Sequence, residues 1–212
     1  MDVPSAFKVH PAAALAFAAT RGFGQVIACE GGRPVASLLP FLLTEADGEA
    51  PRVHFHVARG NPLAVLAEKG GTWLIVVSGR DAYVSPDWYV SADQVPTWLY
   101  EAVQLAGPVR AVPAEHTADH LDRLAATFEA WAAPKPPWTA ERVSRARRDM
   151  LMKAIVAIEM TVKTVEGSFK LNQIKSDADN ISVVRALKAQ PDPAGREIAA
   201  RMVALRPHLA YE

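Results

Sequence analysis

Much of what usually announces a function is missing from this sequence. There is one cysteine in 212 residues, Cys29, so no internal disulfide can form and a reducing compartment suits the chain. Its neighbours Val26, Ile27 and Ala28 fit an inert strand thiol. There is no net charge, because 23 basic residues balance 23 acidic ones. That balance argues against a nucleic-acid binder driven by overall electrostatics. No apolar run approaches the ~20 residues that span a bilayer, so no membrane partner is expected. The alanine-rich stretch 11–20 has the look of a signal-peptide core, but Asp2 stands where positive charge belongs and no small-residue cleavage site follows. It reads as a short helix of a cytoplasmic protein. Gly-x-Ser-x-Gly, Walker, Gly-x-Gly-x-x-Gly and Cys-x-x-Cys patterns are all absent, which leaves nucleophilic catalysis without support and the catalytic residues unassigned.

What is present is the composition of a globular chain, 50% hydrophobic and 22% charged, able to bury a real core. Strands are expected near 24–30 and 33–43 around the Gly31-Gly32 turn, then at 52–58, 73–77, 82–85 and 97–112. Short strands with glycine-rich turns at this spacing suggest a closed barrel rather than a doubly wound sheet. Leu121, Leu124, Phe128 and Trp131 place an amphipathic helix over 117–131. After a proline-rich connector, Thr139 is expected to cap a helix over about 140–152. A strand from Ala154 to Thr164 then turns at Glu166-Gly167 into a second one, and helices near 178–189 and 194–205 finish the chain. The chain is expected to form a single domain, 1–212, with a barrel core of about 20–112 and 154–174 and helical additions at about 117–152 and 178–205.

The segment His56-Val57-Ala58-Arg59-Gly60-Asn61-Pro62 carries the clearest chemical signal. Val53, Phe55 and Val57 alternate with His54, His56 and Ala58, as in a half-buried strand. Asn61 suits an N-cap and Pro62 the first helical position. A helix N-terminus beside an arginine and a glycine makes a cradle for a phosphate, although the segment alone reads more readily as a plain strand-to-helix connection with a solvated arginine. His116 and His120, four apart with Asp119 nearby, have metal-ligand spacing but no evident third ligand, so no metal is assigned. Tyr83, Trp88, Tyr89, Trp98 and Tyr100 either fill a core or interface, or form a wall for a planar ring. Arg142, Arg145, Arg147 and Arg148, between Glu141 and Asp149, make the most basic segment, which suits a solvated helix face or a DNA contact.

Ordered blocks over nearly the whole chain resemble the PaiB-type FMN-binding negative transcriptional regulators. They are Val3-Pro4-Ser5-Ala6-Phe7, Ala36-Ser37-Leu38-Leu39-Pro40-Phe41-Leu42-Leu43 and the segment from His56 to Pro62. Ala82-Tyr83-Val84-Ser85-Pro86-Asp87-Trp88-Tyr89 and Val95-Pro96-Thr97-Trp98-Leu99-Tyr100 follow. The last are Ile155-Val156-Ala157-Ile158-Glu159 and Glu166-Gly167-Ser168-Phe169-Lys170-Leu171. The resemblance implies an α+β protein that is mainly β, a split β-barrel of the FMN-binding type with covering helices and a C-terminal helical segment.

It further implies a homodimer with non-covalent FMN and a regulatory or redox-sensing role. Arg59 and Lys170 would offset the phosphate charge, helped by donors near Gly60 and Asn61. His56, Val57, Ala58 and Ser37 would border the cofactor, Trp98 would supply an apolar wall, and Gln173 an amide. The flavin would carry any redox chemistry. Leu38, Leu99 and Gln104 depart from the family's usual histidine, asparagine and histidine, and Asn172 and Ile174 interrupt its Lys-x-Ser-Gln-Asn ending. The departures leave three readings open: a variant FMN site, a cofactor-free dimeric interaction module with a degenerate pocket, or a flavin- or haem-dependent oxidoreductase. Direct DNA binding has no helix-turn-helix pattern behind it.

Overall fold

Alternating apolar and polar residues, punctuated by glycine turns, make most of this chain strand. A computed structural model describes residues 1 and 3–212; Asp2 lies outside the described residues. In chain order the elements are α1 (Pro11–Arg21), β1 (Phe23–Glu30), β2 (Arg33–Pro40), β3 (Leu42–Thr44), β4 (Arg52–Ala58) and α2 (Pro62–Lys69). Then come β5 (Thr72–Val84), β6 (Thr97–Ala111), α3 (Thr117–Trp131), α4 (Arg145–Lys153), β7 (Ile155–Thr161), β8 (Thr164–Lys170), α5 (Asp177–Ala189) and α6 (Pro193–Leu205).

The strands join in the order β2-β1-β5-β6-β7-β4-β3, with β8 also paired to β6. β1 and β2 form a hairpin from Phe23 opposite Pro40 to Glu30 opposite Arg33. Its tip needs Gly31 and Gly32 at φ +55° and +82°, a left-handed region that side chains disfavour. β4 and β7 are antiparallel along seven residues, Arg52 opposite Thr161 through Ala58 opposite Ile155. Gly107 on β6 marks a place where two backbones nearly touch. A Cβ there would stand 1.9 Å from the Thr161 carbonyl oxygen.

The chain divides into two compact units, residues 1–14, 78–103 and 166–212 in the first and 15–77 and 104–165 in the second. The first unit's core joins Val84, Leu99 and Leu171 to Val183, Val184 and Leu187 of α5 and to Ile198, Ala199 and Met202 of α6. The helical residues recur at spacings of one, three and four, the stripe that lets a helix cover a strand face. The second unit buries Val53, Phe55, Val57, Ile75, Val77, Leu105, Ile158 and Met160. Each fully buried aliphatic side chain contributes about 1.5–3 kcal/mol of transfer free energy.

Several elements differ from expectation for identifiable reasons. The strand expected over 33–43 breaks at buried Phe41, whose N–H donates to the Gly22 carbonyl. The two strands expected at 73–77 and 82–85 are one strand, β5, that runs through the polar residues 78–81. Thr139 makes no side-chain cap; it precedes a single 3-10 turn, and the helix starts only at Arg145. Glu166-Gly167 is not a turn but mid-strand in β8. Gly167 is required there because a Cβ would come within 2.9 Å of the Val9 Cβ. Cys29 is exposed on β1, so its apolar neighbours do not bury it.

Candidate functional site

Arg59 follows the last residue of β4, where the chain leaves the sheet for α2. Its backbone N–H donates to the Ala154 carbonyl. Its guanidinium donates through Nε to the Lys153 carbonyl and through Nη2 to the Ile155 carbonyl, each at 3.0 Å. Both acceptors lie where α4 passes into β7, so one backbone corner fixes the guanidinium plane. Among the described residues no carboxylate forms an ion pair with it. Arg59 lines a cavity of about 670 Å³ in the second unit with an apolar floor that includes Val112, Met152 and Ile155. Lys153 is a second cation in its wall, and Glu68 and Asp149 are its carboxylates.

Asn61 caps α2 as expected. Its Oδ1 accepts from Leu63 N at 2.9 Å, and its Nδ2 donates to Ser37 Oγ at 3.0 Å. Asn61 therefore ties β2 to the start of α2 while satisfying one of the helix's free donors. The Ala64 N–H is taken by the Asn61 carbonyl and Pro62 has none to offer, so the helix end presents fewer free donors than the sequence suggested. Gly60 has nothing within 4 Å of where a Cβ would be. The glycine borders open space.

β4 is more deeply buried than a half-buried strand, since His54 joins Val53, Phe55 and Val57 inside while Ala58 is exposed. His56 Nδ1 lies 3.2 Å from His120 Nε2 on α3, with the rings edge to face, so one ring N–H donates to the other ring's lone pair. Burial pushes the His120 pKa down to about 4, and the nearby His56, His54 and Arg123 push the same way. Burial also lowers His56 and His54. Next to them Glu159 is buried on β7 and accepts from Arg52 at 2.9 Å and from Arg110 at 2.9 and 3.1 Å. Burial would raise its pKa, but the two arginines overcome that and hold it below the usual value. His54, His120, Glu159 and Arg110 line a second cavity of about 250 Å³ with His116 and Asp119. Among the described residues no three His, Cys, Asp or Glu side chains are set to hold a metal.

Trp98, Lys170 and Gln173 belong to the first unit. Trp98 is exposed and meets the exposed Tyr83 ring edge-on at 6.0 Å. Lys170 Nζ donates to Thr97 Oγ1 at 2.6 Å. Gln173 turns back on its own strand, accepting from Leu171 N and donating to the Phe169 carbonyl. Of the apolar departures, Leu38 and Ile174 are exposed whereas Leu99 is fully buried in the first unit's core, which accounts for its lack of polarity.

The nine expected cofactor residues thus fall into two sets: Ser37, His56, Val57, Ala58, Arg59 and Asn61 in the second unit and Trp98, Lys170 and Gln173 in the first. Hydrogen bonding joins Ser37 to Asn61. Of the basic segment, Arg148 donates through Nη2 to both carboxylate oxygens of Asp122, while Arg142, Arg145 and Arg147 are exposed. Sequence reasoning gave no role to Glu159 and marked Asn172 only as a departure from the family ending. The first was visible as a lone carboxylate in the apolar run 155–160.

Known proteins resemble the chain along most of its length. It is 28% identical to the protease synthase and sporulation protein PAI 2 of Bacillus subtilis over 203 residues, covering 95% of this chain and 96% of the relative. It is 32% identical over 81 residues to the uncharacterized yeast protein YKL070W, covering 36% and 48%. Among solved structures, the FAD and heme binding protein of Mycobacterium smegmatis superposes with a TM-score of 0.54 at 16% identity, covering 76% of this chain and 71% of that one. The flavocytochrome Anf3 of Azotobacter vinelandii gives 0.53 at 14%, covering 77% and 69%. These likenesses establish the mixed α+β split-barrel fold. No helix among the described residues is long and apolar enough to cross a membrane. Residues 1–164 match the family described as "Putative FMN-binding domain", and the chain belongs to that family, the one whose ordered motifs its sequence carries.

Proposed function

We propose that this chain binds FMN without a covalent bond and that Arg59 anchors the phosphate. The state of Arg59 carries the reading: two carbonyls fix its guanidinium at a cavity wall, and among the described residues no carboxylate forms an ion pair with it. A charge already held in place loses little entropy on binding, and its remaining N–H groups suit a phosphate dianion. Open space at Gly60 lets a ligand approach the backbone. Asn61 acts indirectly, holding Ser37 and the start of α2 in register. Family membership supports FMN as the ligand, and the flavin-binding names of the two structural neighbours agree with a flavin.

The flavin, when bound, supplies the redox chemistry. The protein's residues bind and orient it and exclude water. Val57 and His56 lie on the strand that leads into Arg59, and Ser37 borders it through Asn61. In the first unit, the family resemblance gives Trp98 and Gln173 to the ring and Lys170 to the phosphate charge. A regulatory or redox-sensing role and a homodimer complete the reading, in keeping with the family resemblance; light scattering tests the dimer and a salt-dependent mobility shift tests DNA contact.

The purified protein should absorb between about 350 and 500 nm or acquire that band with added FMN. Arg59→Gln should weaken FMN at least about tenfold by calorimetry and leave riboflavin affinity unchanged, as expected for loss of a charged hydrogen bond worth about 1.5–3 kcal/mol. No band and no heat with FMN would overturn the reading. Equal FMN affinity in the variant would remove Arg59 from it.

A further inference from the structure

Four of the chain's six histidines gather at one place in the second unit. His54, His116 and His120 line the cavity of about 250 Å³, and His56 meets His120 at 3.2 Å. His120 also sits in the seam by which α3 rests on the sheet. Of the 15 residues of that helix, only Thr117, His120 and Leu124 are buried. A titratable ring therefore occupies the middle of a narrow contact. One proton between His56 Nδ1 and His120 Nε2 makes their hydrogen bond, whereas a second sets two N–H groups against each other.

The charged and titratable groups around the pair come from every element packed there. They are Arg52 and His54 on β4, Arg110 on β6, Glu159 on β7, and His116, Asp119 and Arg123 on α3 and the turn before it. Neither carboxylate is free to answer a new positive charge. Glu159 accepts from Arg52 and Arg110, and Asp119 lies 4.0 Å from Arg123. Glu159 Oε2 is also 3.6 Å from His54 Nδ1 and favours a proton on that ring, but burial and the three arginines outweigh it. His116, Asp119 and Arg123 are exposed, so solvent and protons reach the cavity wall.

We propose that the His56–His120 pair is an acid-sensitive latch on α3: with both rings protonated their N–H groups oppose, and the first half of the helix lifts while the strands beneath stay paired. The second half is held separately, by Phe128 and Trp131 against Gly22. An exposed ion pair from Asp122 to Arg148 also joins the first half to α4, but contacts of that kind contribute little. Two detached turns are too short to stay helical in water, so the lifted half unwinds. Once released, both rings return to an ordinary value of 6.5 from their lowered ones, so the open form takes up protons first. Opening is therefore favoured as pH falls below 6.5, by up to about a hundredfold per pH unit for two protons. The latch does not depend on any ligand at Arg59.

Hydrogen exchange of the full chain at pH 7 and pH 5, read by mass spectrometry and corrected for the intrinsic rates, tests it. Peptides over residues 117–125 should lose protection at least about tenfold at pH 5, while those from β4 and β7 keep theirs. His120→Gln retains a polar side chain that cannot take up the proton, and it should abolish the difference. Nuclear magnetic resonance of the wild type needs no variant: the His56 and His120 ring signals should titrate together with the loss of α3 protection. Equal protection at both pH values, loss from β4 and β7 in step with α3, an unchanged pH dependence in the variant, or protonated rings beneath a protected α3 would overturn the proposal.

Discussion

In the second unit, buried Glu159 accepts from Arg52 and Arg110, His54 meets Thr44 at 3.0 Å, and His56 meets His120. In the first unit, Asn172 is as deeply buried, yet half of its amide has no partner and two lysines beside it have no counter-charge. Burial of polar groups is common to both; closure of the network is not. A closed network stabilises the strands and helices that carry it, and breaking it is costly. An open one has lost hydration without replacement, and a ligand restores what folding removed. Arg59 is exposed and keeps its hydration, so it stands outside this contrast. Its hydrogen bonds fix its position without an ion pair among the described residues.

Acid should break the closed network with the largest effect. His120 has its pKa lowered to about 4 in the folded chain from an ordinary 6.5, so the unfolded chain takes up the proton first. The stability this group confers is intact above pH 6.5 and is lost as pH falls toward 4. The loss amounts to about 3 kcal/mol at most. Urea unfolding at pH 7, 5.5 and 4 measures it, and His120→Gln should flatten the dependence. A variant with the same slope as the wild type would assign the acid sensitivity elsewhere.

Glu159→Gln should cost about 1–3 kcal/mol, because Arg52 and Arg110 lose their shared carboxylate. Both arginines reach solvent, so the cost stays below that of stranding a fully buried charge. The same substitution should move the apparent His54 pKa further down, since the Glu159 charge is what raises it. The comparison sharpens at the smallest effect. Asn172→Gly should change stability by less than about 1 kcal/mol, since glycine relieves the left-handed strain that the Tyr89 contact partly offsets. A loss as large as that at Glu159 would put Asn172 among the closed, structural groups.

Local patterns made much of the fold legible. The alternation at 52–58, the Asn61-Pro62 start and the apolar spacing of 117–131 each reappear as β4, α2 and α3. Where expectation failed, a distant contact had overridden a local rule. Polar residues 78–81 look like a break, but pairing carries β5 through them. Gly167 looks like a turn glycine, but it is glycine because Val9 presses on it. The site followed the same logic. Arg59 could be singled out from its neighbours in sequence, but the carbonyls that hold it belong to Lys153 and Ile155, and no pattern near residue 59 foretells them. Asn172 stood out only as a departure from the family ending; that its amide would be buried without an acceptor depends on where Tyr89 lies.

Gly107 admits no side chain without a shift of the main chain. With the Thr161 oxygen 1.9 Å from where a Cβ would stand, every missense change of that codon forces two backbones apart. Neither a larger cavity nor a compensating neighbour relieves it, because the obstacle is main chain that every amino acid shares. A side chain of any kind at residue 107 should therefore cost stability at the place where β6 and β7 come together.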